Sequence, residues 1–533
     1  MKLEKLLENA KVLKTNCSAN IEIEGIKTDS REVCENDLFV CMEGINDDGN
    51  RHLNEINADF VALTQKKPCD ESVKYVLVED VRKAYAQVCE NFFLRPLDDM
   101  KFVAVVGTNG KTSTAHYISQ MLAFAGFKTG LIGTEGHYIC GEKVGQSLTT
   151  PDPLELNELF FKMRTKGCDV VIAEVSAHAI YLEKLGDIKA DVGVLTNVSQ
   201  DHLDYFKDFA NYQGVKMSYF ENGGAKTAVV NVDDESGRIL LKRLEKNAAV
   251  KSVSYGLYQP SDAFAIDVDE NIDGVKFVAN VLDDIVDVKS HLYGEFNVYN
   301  LLAAMTVCKL LGVEGETLAH AVRKVKTVKG RFSVLPCEKG TIIIDYAHTP
   351  DGLKNLLSTA RTITKSRLIT LFGCGGERDK SKRALMGKVA SRYSDYIVIT
   401  SDNPRSEDPA EIMKEIEWGV NVKDCKWHGP RVDCNRSQGR RKDAQRRRTF
   451  QKRRWQRRIF GARVGVEKSI RRKNRRATKS TRHFLRLVKI RIHDGRKLLQ
   501  RRARSVCKIL QKRLDISRKP YHQLVSALPH RTQ

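Results

Sequence analysis

The sequence predicts an α/β protein of several domains, on three observations: its length, an apolar strand that runs into a glycine-rich turn and helix, and alternating strand and helix patterns over most of its first 420 residues. A chain of 533 residues exceeds what one hydrophobic core supports, so domains of roughly 100–200 residues each are expected. Phe102-Val-Ala-Val-Val106 is apolar throughout, as suits a parallel strand covered on both faces. A Gly-rich turn and a helical pattern follow it directly, the opening of a doubly wound domain.

The elements fall in order. Residues 1–98 mix short strands (Ile21 to Ile26, Leu38 to Met42) with turn chemistry and end in a helical pattern from Val81 to Phe93, a small α/β domain. Residues 99–327 continue from Phe102 through strands such as Val170-Val-Ile-Ala173 and Val192-Gly-Val-Leu195. A third α/β unit occupies 328–419, with strands at Thr341–Asp345, Leu368–Phe372 and Tyr396–Thr400. From 420 to 533 the periodicity stops and Arg-rich clusters such as Arg446-Arg-Arg448 take over.

Charge follows the same division. Residues 420–533 hold 38 of the 89 Lys+Arg but six of the 67 Asp+Glu, a local charge of +32 that leaves −10 for residues 1–419. No apolar run approaches the length of a membrane span or signal peptide, so a soluble, cytoplasmic protein is expected. The 13 cysteines form no Cys-x-x-Cys pair, which argues against a zinc site and a disulfide framework and for reduced thiols.

The chemistry starts at Gly107, Thr108, Asn109, Gly110, Lys111, Thr112 and Ser113. A loop between a strand and a helix N-terminus turns backbone amides toward anionic phosphate. Lys111 is placed for the β- and γ-phosphates and Thr112 for Mg²⁺, although Gly-x-x-Gly-Lys-Thr is shorter than the common phosphate loop.

That shortened loop resembles the phosphate loop of the Mur ligase family, and further motifs recur in the family's order: Thr149-Thr-Pro-Asp152, Glu174-Val-Ser-Ala-His178, Thr196-Asn-Val-Ser-Gln-Asp-His-Leu-Asp204, Gly294-Glu-Phe-Asn-Val-Tyr-Asn300, Gly330-Arg-Phe332, Asp345-Tyr-Ala-His-Thr-Pro350 and Gly373-Cys-Gly-Gly-Glu-Arg-Asp379. The resemblance implies a three-domain α/β ligase: an N-terminal UDP-substrate domain, a central ATP-binding domain and a Rossmann-like C-terminal domain. It implies a reaction in which ATP phosphorylates a carboxylate and an amino-acid amine then attacks the acyl phosphate. Such chemistry gathers negative charge at the phosphates and calls for cations there.

Residue by residue, the resemblance implies Glu174 and His202 as magnesium ligands beside Thr112, and Lys111 as a catalytic cation. Lys216 matches the lysine that in the family is carbamylated by CO₂ and then holds a second Mg²⁺; by composition alone it reads as a solvated helix residue. Asn297, Asn300, Arg331, Asp345 and His348 are expected around ATP, with helix capping the competing reading for the two asparagines. Ser30, Thr149, Thr150, Ser176 and Lys184 are expected at the nucleotide-sugar peptide. Lys184 stands where many relatives carry arginine, and an ammonium lacks the bidentate fork.

Amino-acid choice falls to Asp402, Asn403, Pro404 and Arg405 with Arg378. In the family Asp-Asn-Pro-Arg accompanies meso-diaminopimelate, whose distal carboxylate suits a guanidinium. The implied substrates are UDP-N-acetylmuramoyl-L-alanyl-D-glutamate and meso-diaminopimelate, with ATP and Mg²⁺, in a monomer. A lysine-adding relative and a folylpolyglutamate-synthase-like ligase are the alternatives within the class.

The resemblance stops near Gly419. The family's later Gly-Lys-Gly-His-Glu segment has no counterpart here, and Arg:Lys inverts from 15:36 before Val420 to 26:12 after it. A shifted reading frame accounts for this, because GAA and AAG codons read out of frame yield AGA and AGG. On that account the third domain is incomplete, the tail is disordered or weakly helical and there is little or no ligase activity; from a different class, the alternative is an inactive ligase remnant that serves as a basic binding protein. The competing account is a basic arm that binds nucleic acid non-specifically through phosphate contacts, with Trp427, Trp455 and Phe460 available to stack.

Overall fold

In the computed structural model the described residues are 1–421, apart from 45, 46, 272, 338 and 339, together with the strand Lys426–Trp427. The expectations for the tail beyond that strand, Trp455 and Phe460 included, lie outside the described residues. The chain divides into two units: residues 1–366 with 378–389, and residues 367–377 with those from 390 onward.

The first unit begins with a five-stranded sheet in the order Val12–Thr15, Lys74–Val78, Val61–Thr64, Asp37–Val40, Gly25–Lys27, parallel except for its first pair. The helix Val81–Phe92 covers one face, where Val81, Ala84, Tyr85 and Val88 meet Leu38, Val40, Val61 and Val76. Asp80 starts this helix by accepting from the amides of Arg82 and Lys83.

An eleven-stranded sheet follows. Its middle is parallel, and Lys101–Val106 lies between Val170–Val175 and Ala190–Leu195. Alternation along Lys101–Val106 serves two cores. Val103 and Val105 face the helices Lys111–Phe124 and Glu295–Leu310, while Phe102, Ala104 and Val106 face Pro153–Thr165 and Phe209–Glu221. From Lys101–Val106 the chain crosses to one side, through Thr129–Gly133 and Val170–Val175, and then to the other, at Ala190–Leu195. Ligands bind where an open parallel sheet reverses its order, at the carboxyl ends of the strands, and the loop from Gly107 to Gly110 lies at that point.

Three antiparallel strands, Ala263–Asn271, Gly274–Val281 and Asp284–Ser290, extend one edge of this sheet. The strand Gly340–Ile344 pairs antiparallel with Ser333–Cys337. The second unit holds a parallel three-stranded sheet, Ile369–Phe372, Tyr396–Ile399 and Lys426–Trp427. The described sheet therefore runs past Gly419, where the composition changes.

No described helix is long and apolar enough to cross a membrane.

Candidate nucleotide and magnesium site

The phosphate loop is shaped by two glycines and by its neighbour strand. Gly110 has φ +87°, and a Cβ there would stand 2.6 Å from Asn300 Oδ1, so glycine is required. Thr108 N donates to Asn197 O at 2.8 Å and Asn109 N to Asn197 Oδ1 at 3.0 Å. Thr196 Oγ1 donates to Asn109 O at 2.7 Å. The residues after Ala190–Leu195 thus hold the loop open at the helix N-terminus.

Lys111 folds back over this loop, with Nζ 2.9 Å from both Gly107 O and Thr108 O. Burial lowers its pKa, while Glu174 and Asp201 oppose that shift. Thr112 Oγ1 donates to Glu174 Oε2 at 2.9 Å, and Arg331 Nη2 donates to Thr112 Oγ1 at 2.9 Å. Thr134 fixes the Glu174 carboxylate, its N on Oε1 at 2.8 Å and its Oγ1 on Oε2 at 3.1 Å. Ser113 is buried behind them.

Octahedral Mg²⁺ at 2.0–2.1 Å from oxygen sets adjacent ligands about 2.9 Å apart, which is the Thr112–Glu174 separation. The donor set therefore fits magnesium. Arg331 stacks over Tyr346 at 4.9 Å, and its Nε is buried without a partner among the described residues. An unpaired guanidinium N–H beside the loop suits a phosphate oxygen.

His202 has φ +54°. Its Nδ1 is 3.2 Å from Arg378 Nη1 and its Nε2 3.3 Å from Asp201 Oδ2. Burial lowers its pKa to about 3 against the pull of Asp201, so the imidazole is neutral, as a metal ligand must be. Among the described residues no three His, Cys, Asp or Glu side chains converge as a ready cation cage. Magnesium keeps several waters and needs few protein oxygens.

Lys216 is not the solvated helix residue that composition suggests. It is 1% exposed, with Nζ 2.9 Å from Thr108 Oγ1 and 4.2 Å over the Tyr212 ring. Burial, then repulsion from Lys111, holds its amine well below the ordinary lysine range. The asparagines are not caps either, since Gly294 occupies the N-cap without a side-chain bond. Asn297 Oδ1 accepts from Tyr117 Oη at 3.0 Å and Asn300 Oδ1 from Thr114 Oγ1 at 3.2 Å, so they brace the loop's helix against Glu295–Leu310. Asp345 accepts from the amides of Phe332 and Ala347.

Asp201 and Lys382 were not singled out from the sequence. Asp201 is buried and accepts from His348 Nε2 at 3.2 Å, with Lys382 Nζ at 3.4 Å and His202 beside it. Burial alone would raise its carboxyl, but the His348 hydrogen bond, the adjoining His202 and His348 rings and the Lys382 ammonium hold it well below the usual carboxylate range. The only signal was its place before His202 in the quoted motif.

The residues expected at the nucleotide sugar converge, apart from Ser30. Thr150 Oγ1 donates to Glu174 O at 2.8 Å, and Ser176 N donates to Thr150 Oγ1 at 3.1 Å. Thr149 Oγ1 is 3.1 Å from Thr134 Oγ1, and Lys184 Nζ lies 3.3 Å from Thr150 O and 2.8 Å from Asp152 Oδ1. Ser30 opens the short helix Ser30–Glu32 beside the Asp29–Arg31 pair, which holds the Asp29 carboxyl at about 2.

In the second unit, Asp402, Asn403, Pro404 and Arg405 follow the strand Tyr396–Ile399. Asn403 O accepts from Gly376 N at 2.8 Å, and Arg405, at φ +48°, donates to Gly376 O. Arg378 belongs to the first unit.

Residues 105–308 match the Mur ligase middle domain and residues 330–434 the Mur ligase glutamate ligase domain. The UDP-N-acetylmuramoyl-L-alanyl-D-glutamate--2,6-diaminopimelate ligase 1 of Clostridium acetobutylicum is 38% identical over 79% of this chain and 88% of its own length. The corresponding ligase of Alkaliphilus oremlandii is 37% identical over 79% and 86%. A solved structure of such a ligase superposes with a TM-score of 0.61 at 26% identity, covering 80% of this chain and 88% of its own. With its phosphate loop, its Thr112–Glu174 oxygen pair and these matches in agreement, the chain belongs to the Mur ligase family of ATP-dependent, peptide-bond-forming ligases.

Proposed function

We propose that this chain joins meso-diaminopimelate to UDP-N-acetylmuramoyl-L-alanyl-D-glutamate in peptidoglycan synthesis, as a cytoplasmic monomer. The observation that carries the chemistry is the phosphate loop with the Thr112–Glu174 oxygen pair beneath Lys111 and the unpartnered Nε of Arg331. The Asp402-Asn-Pro-Arg405 segment and the relatives named for diaminopimelate support the choice of amino acid.

ATP brings the phosphoryl group that activates the D-glutamate carboxylate, and magnesium, when bound, draws charge from the phosphate oxygens. The chain's own groups orient that event. The amides of Gly110 and Lys111 at the helix N-terminus face the β-phosphate, Lys111 swings from its two carbonyls to the β/γ oxygens, and Arg331 meets the transferring group through Nε. Thr150, Ser176 and Lys184 hold the peptide substrate beside Glu174. Arg405 turns its guanidinium to the distal carboxylate of diaminopimelate.

Lys216 enters the proposal as a carbamate. Carbon dioxide adds to a neutral amine and not to an ammonium, and burial beside Lys111 favours the neutral form. The resulting carboxylate would sit next to Thr108 and supply an oxygen ligand for a second magnesium.

The test is turnover by the full chain with ATP, magnesium and the UDP-dipeptide, offered diaminopimelate or L-lysine. A diaminopimelate tripeptide supports the proposal. Equal lysine addition would assign the chain to a lysine-adding relative. No product while ATP and the UDP-dipeptide still bind would mark an inactive ligase remnant.

A further inference from the structure

Cys140 and Cys168 are 28 positions apart in sequence, yet their sulfurs are 4.0 Å apart. The backbone enforces the approach. Cys140 N donates to Thr129 O at 2.9 Å, and Asp169 N, next to Cys168, donates to Lys128 O at 2.8 Å, so adjacent backbone positions at the start of Thr129–Gly133 hold Cys140 and the residue that follows Cys168. Lys128 N returns a bond to Asp169 Oδ2 at 2.7 Å. Cys168 follows Gly167, whose φ of +69° ends the helix Pro153–Thr165, and its amide caps Met163 O at 3.0 Å.

The two thiols differ in access. Cys140, at the tip between Gly136–Ile139 and Glu142–Gly145, is exposed, whereas Cys168 is buried. A disulfide holds its sulfurs about 2 Å apart. Closure must therefore cover about 2 Å of the 4.0 Å between the sulfurs.

We propose that Cys140 and Cys168 form a reversible redox site that closes to a disulfide when the protein meets a small-molecule disulfide oxidant. The Cys140 thiolate attacks one sulfur of the oxidant, and half of the oxidant leaves as a thiolate. The Cys168 thiolate then attacks the Cys140 sulfur of this mixed disulfide and expels the other half. Two protein thiols are oxidised, one oxidant disulfide is reduced to two thiols, and the two cysteine protons end on the expelled thiolates. The bond ties the two ends of the segment that carries Thr149, Thr150 and the helix Pro153–Thr165. It rests on this geometry and not on the proposed reaction.

Burial raises the Cys168 thiol, and Cys140 beside it adds to that. Its attack is therefore slow at neutral pH and speeds up as pH rises.

The full chain is incubated with oxidised glutathione, quenched by alkylation and digested for mass spectrometry. A peptide pair linking Cys140 to Cys168, about 2 Da lighter than the two reduced peptides together, is expected and should vanish on treatment with dithiothreitol. The pair must be absent from Cys140→Ser, a surface change that spares the fold, and persist in Cys34→Ser, which removes another exposed thiol. Glutathione retained on Cys140, or both cysteines recovered alkylated after exposure at raised pH, would overturn the proposal.

Discussion

Replacing Lys111 by Ala isolates the loop's cation from the loop's shape. Lys111 Nζ bonds two loop carbonyls at 2.9 Å, over the position a phosphate would take. The loop itself is held by other groups: Asn109 N on Asn197 Oδ1 at 3.0 Å, Thr196 Oγ1 on Asn109 O at 2.7 Å and Thr114 N on Gly110 O at 2.9 Å. A hydrogen bond to a charged partner contributes about 1.5–3 kcal/mol, which is roughly a ten- to 150-fold change in Kd. Calorimetric titration of the full chain and of Lys111→Ala with ATP and magnesium measures this directly, with thermal unfolding followed in parallel. Equal affinities would refute the phosphate-binding role, and a collapsed Tm would show that Lys111 holds the loop instead.

Three other perturbations probe different parts of the site. Lys216→Ala should lower turnover by about 10²-fold or more, the usual cost of one preorganised electrostatic group; Lys216→Glu should recover part, and activity indifferent to both changes and to bicarbonate would defeat the carbamate. Arg405→Ala should cut the preference for diaminopimelate over lysine by about tenfold or more, the worth of one charged hydrogen bond, and competition between the two amino acids would expose an unchanged ratio. His202 has its pKa lowered to about 3 by burial, so between that value and the ordinary histidine range the unfolded chain binds the extra proton. Stability attributable to His202 must then fall as pH drops through this window, at up to about 1.4 kcal/mol per pH unit. Denaturant titrations of His202→Gln should show a shallower acid-side loss, and an identical slope would mean that the imidazole titrates normally.

The parts of the site legible in sequence are those whose signal is local. Phe102 to Ser113 carries strand, turn and helix start in a dozen consecutive residues, and the structure reproduces that order as Lys101–Val106, an open loop and Lys111–Phe124. Asp201 was passed over because its partners, His348 and Lys382, lie 147 and 181 positions away, and no local pattern reports a carboxylate shared at that range. Lys216 reads as a surface residue because helix composition does not say which face turns inward; the packing of Phe209–Glu221 onto the sheet decides it. The strand near Thr341 was visible, but its partner was not. Apolar runs announce strands without naming their neighbours, and here the neighbour is Ser333–Cys337.

The charge balance at the loop follows from the same burial. Burial, then repulsion from Lys111, lowers the Lys216 pKa, which leaves Lys111 and Arg331 as the loop's cations, Arg331 with one N–H unpaired among the described residues. Against these cations stand Glu174, engaged by Thr112 and Thr134, and Asp201, already shared by His348, Lys382 and His202. A set of half-satisfied cations over a helix N-terminus is costly without a ligand and complementary to a polyanion. Binding of the triphosphate should therefore stabilise the fold as well as supply the substrate, through the linkage that any ligand selective for the native state obeys. The rise in Tm with ATP should shrink in Lys111→Ala and in Arg331→Ala, whose lost groups face the phosphates. It should persist in Arg405→Ala, because that side chain is proposed to meet the amino acid and not the phosphates. An ATP-induced shift that is the same in all three variants would place the nucleotide elsewhere.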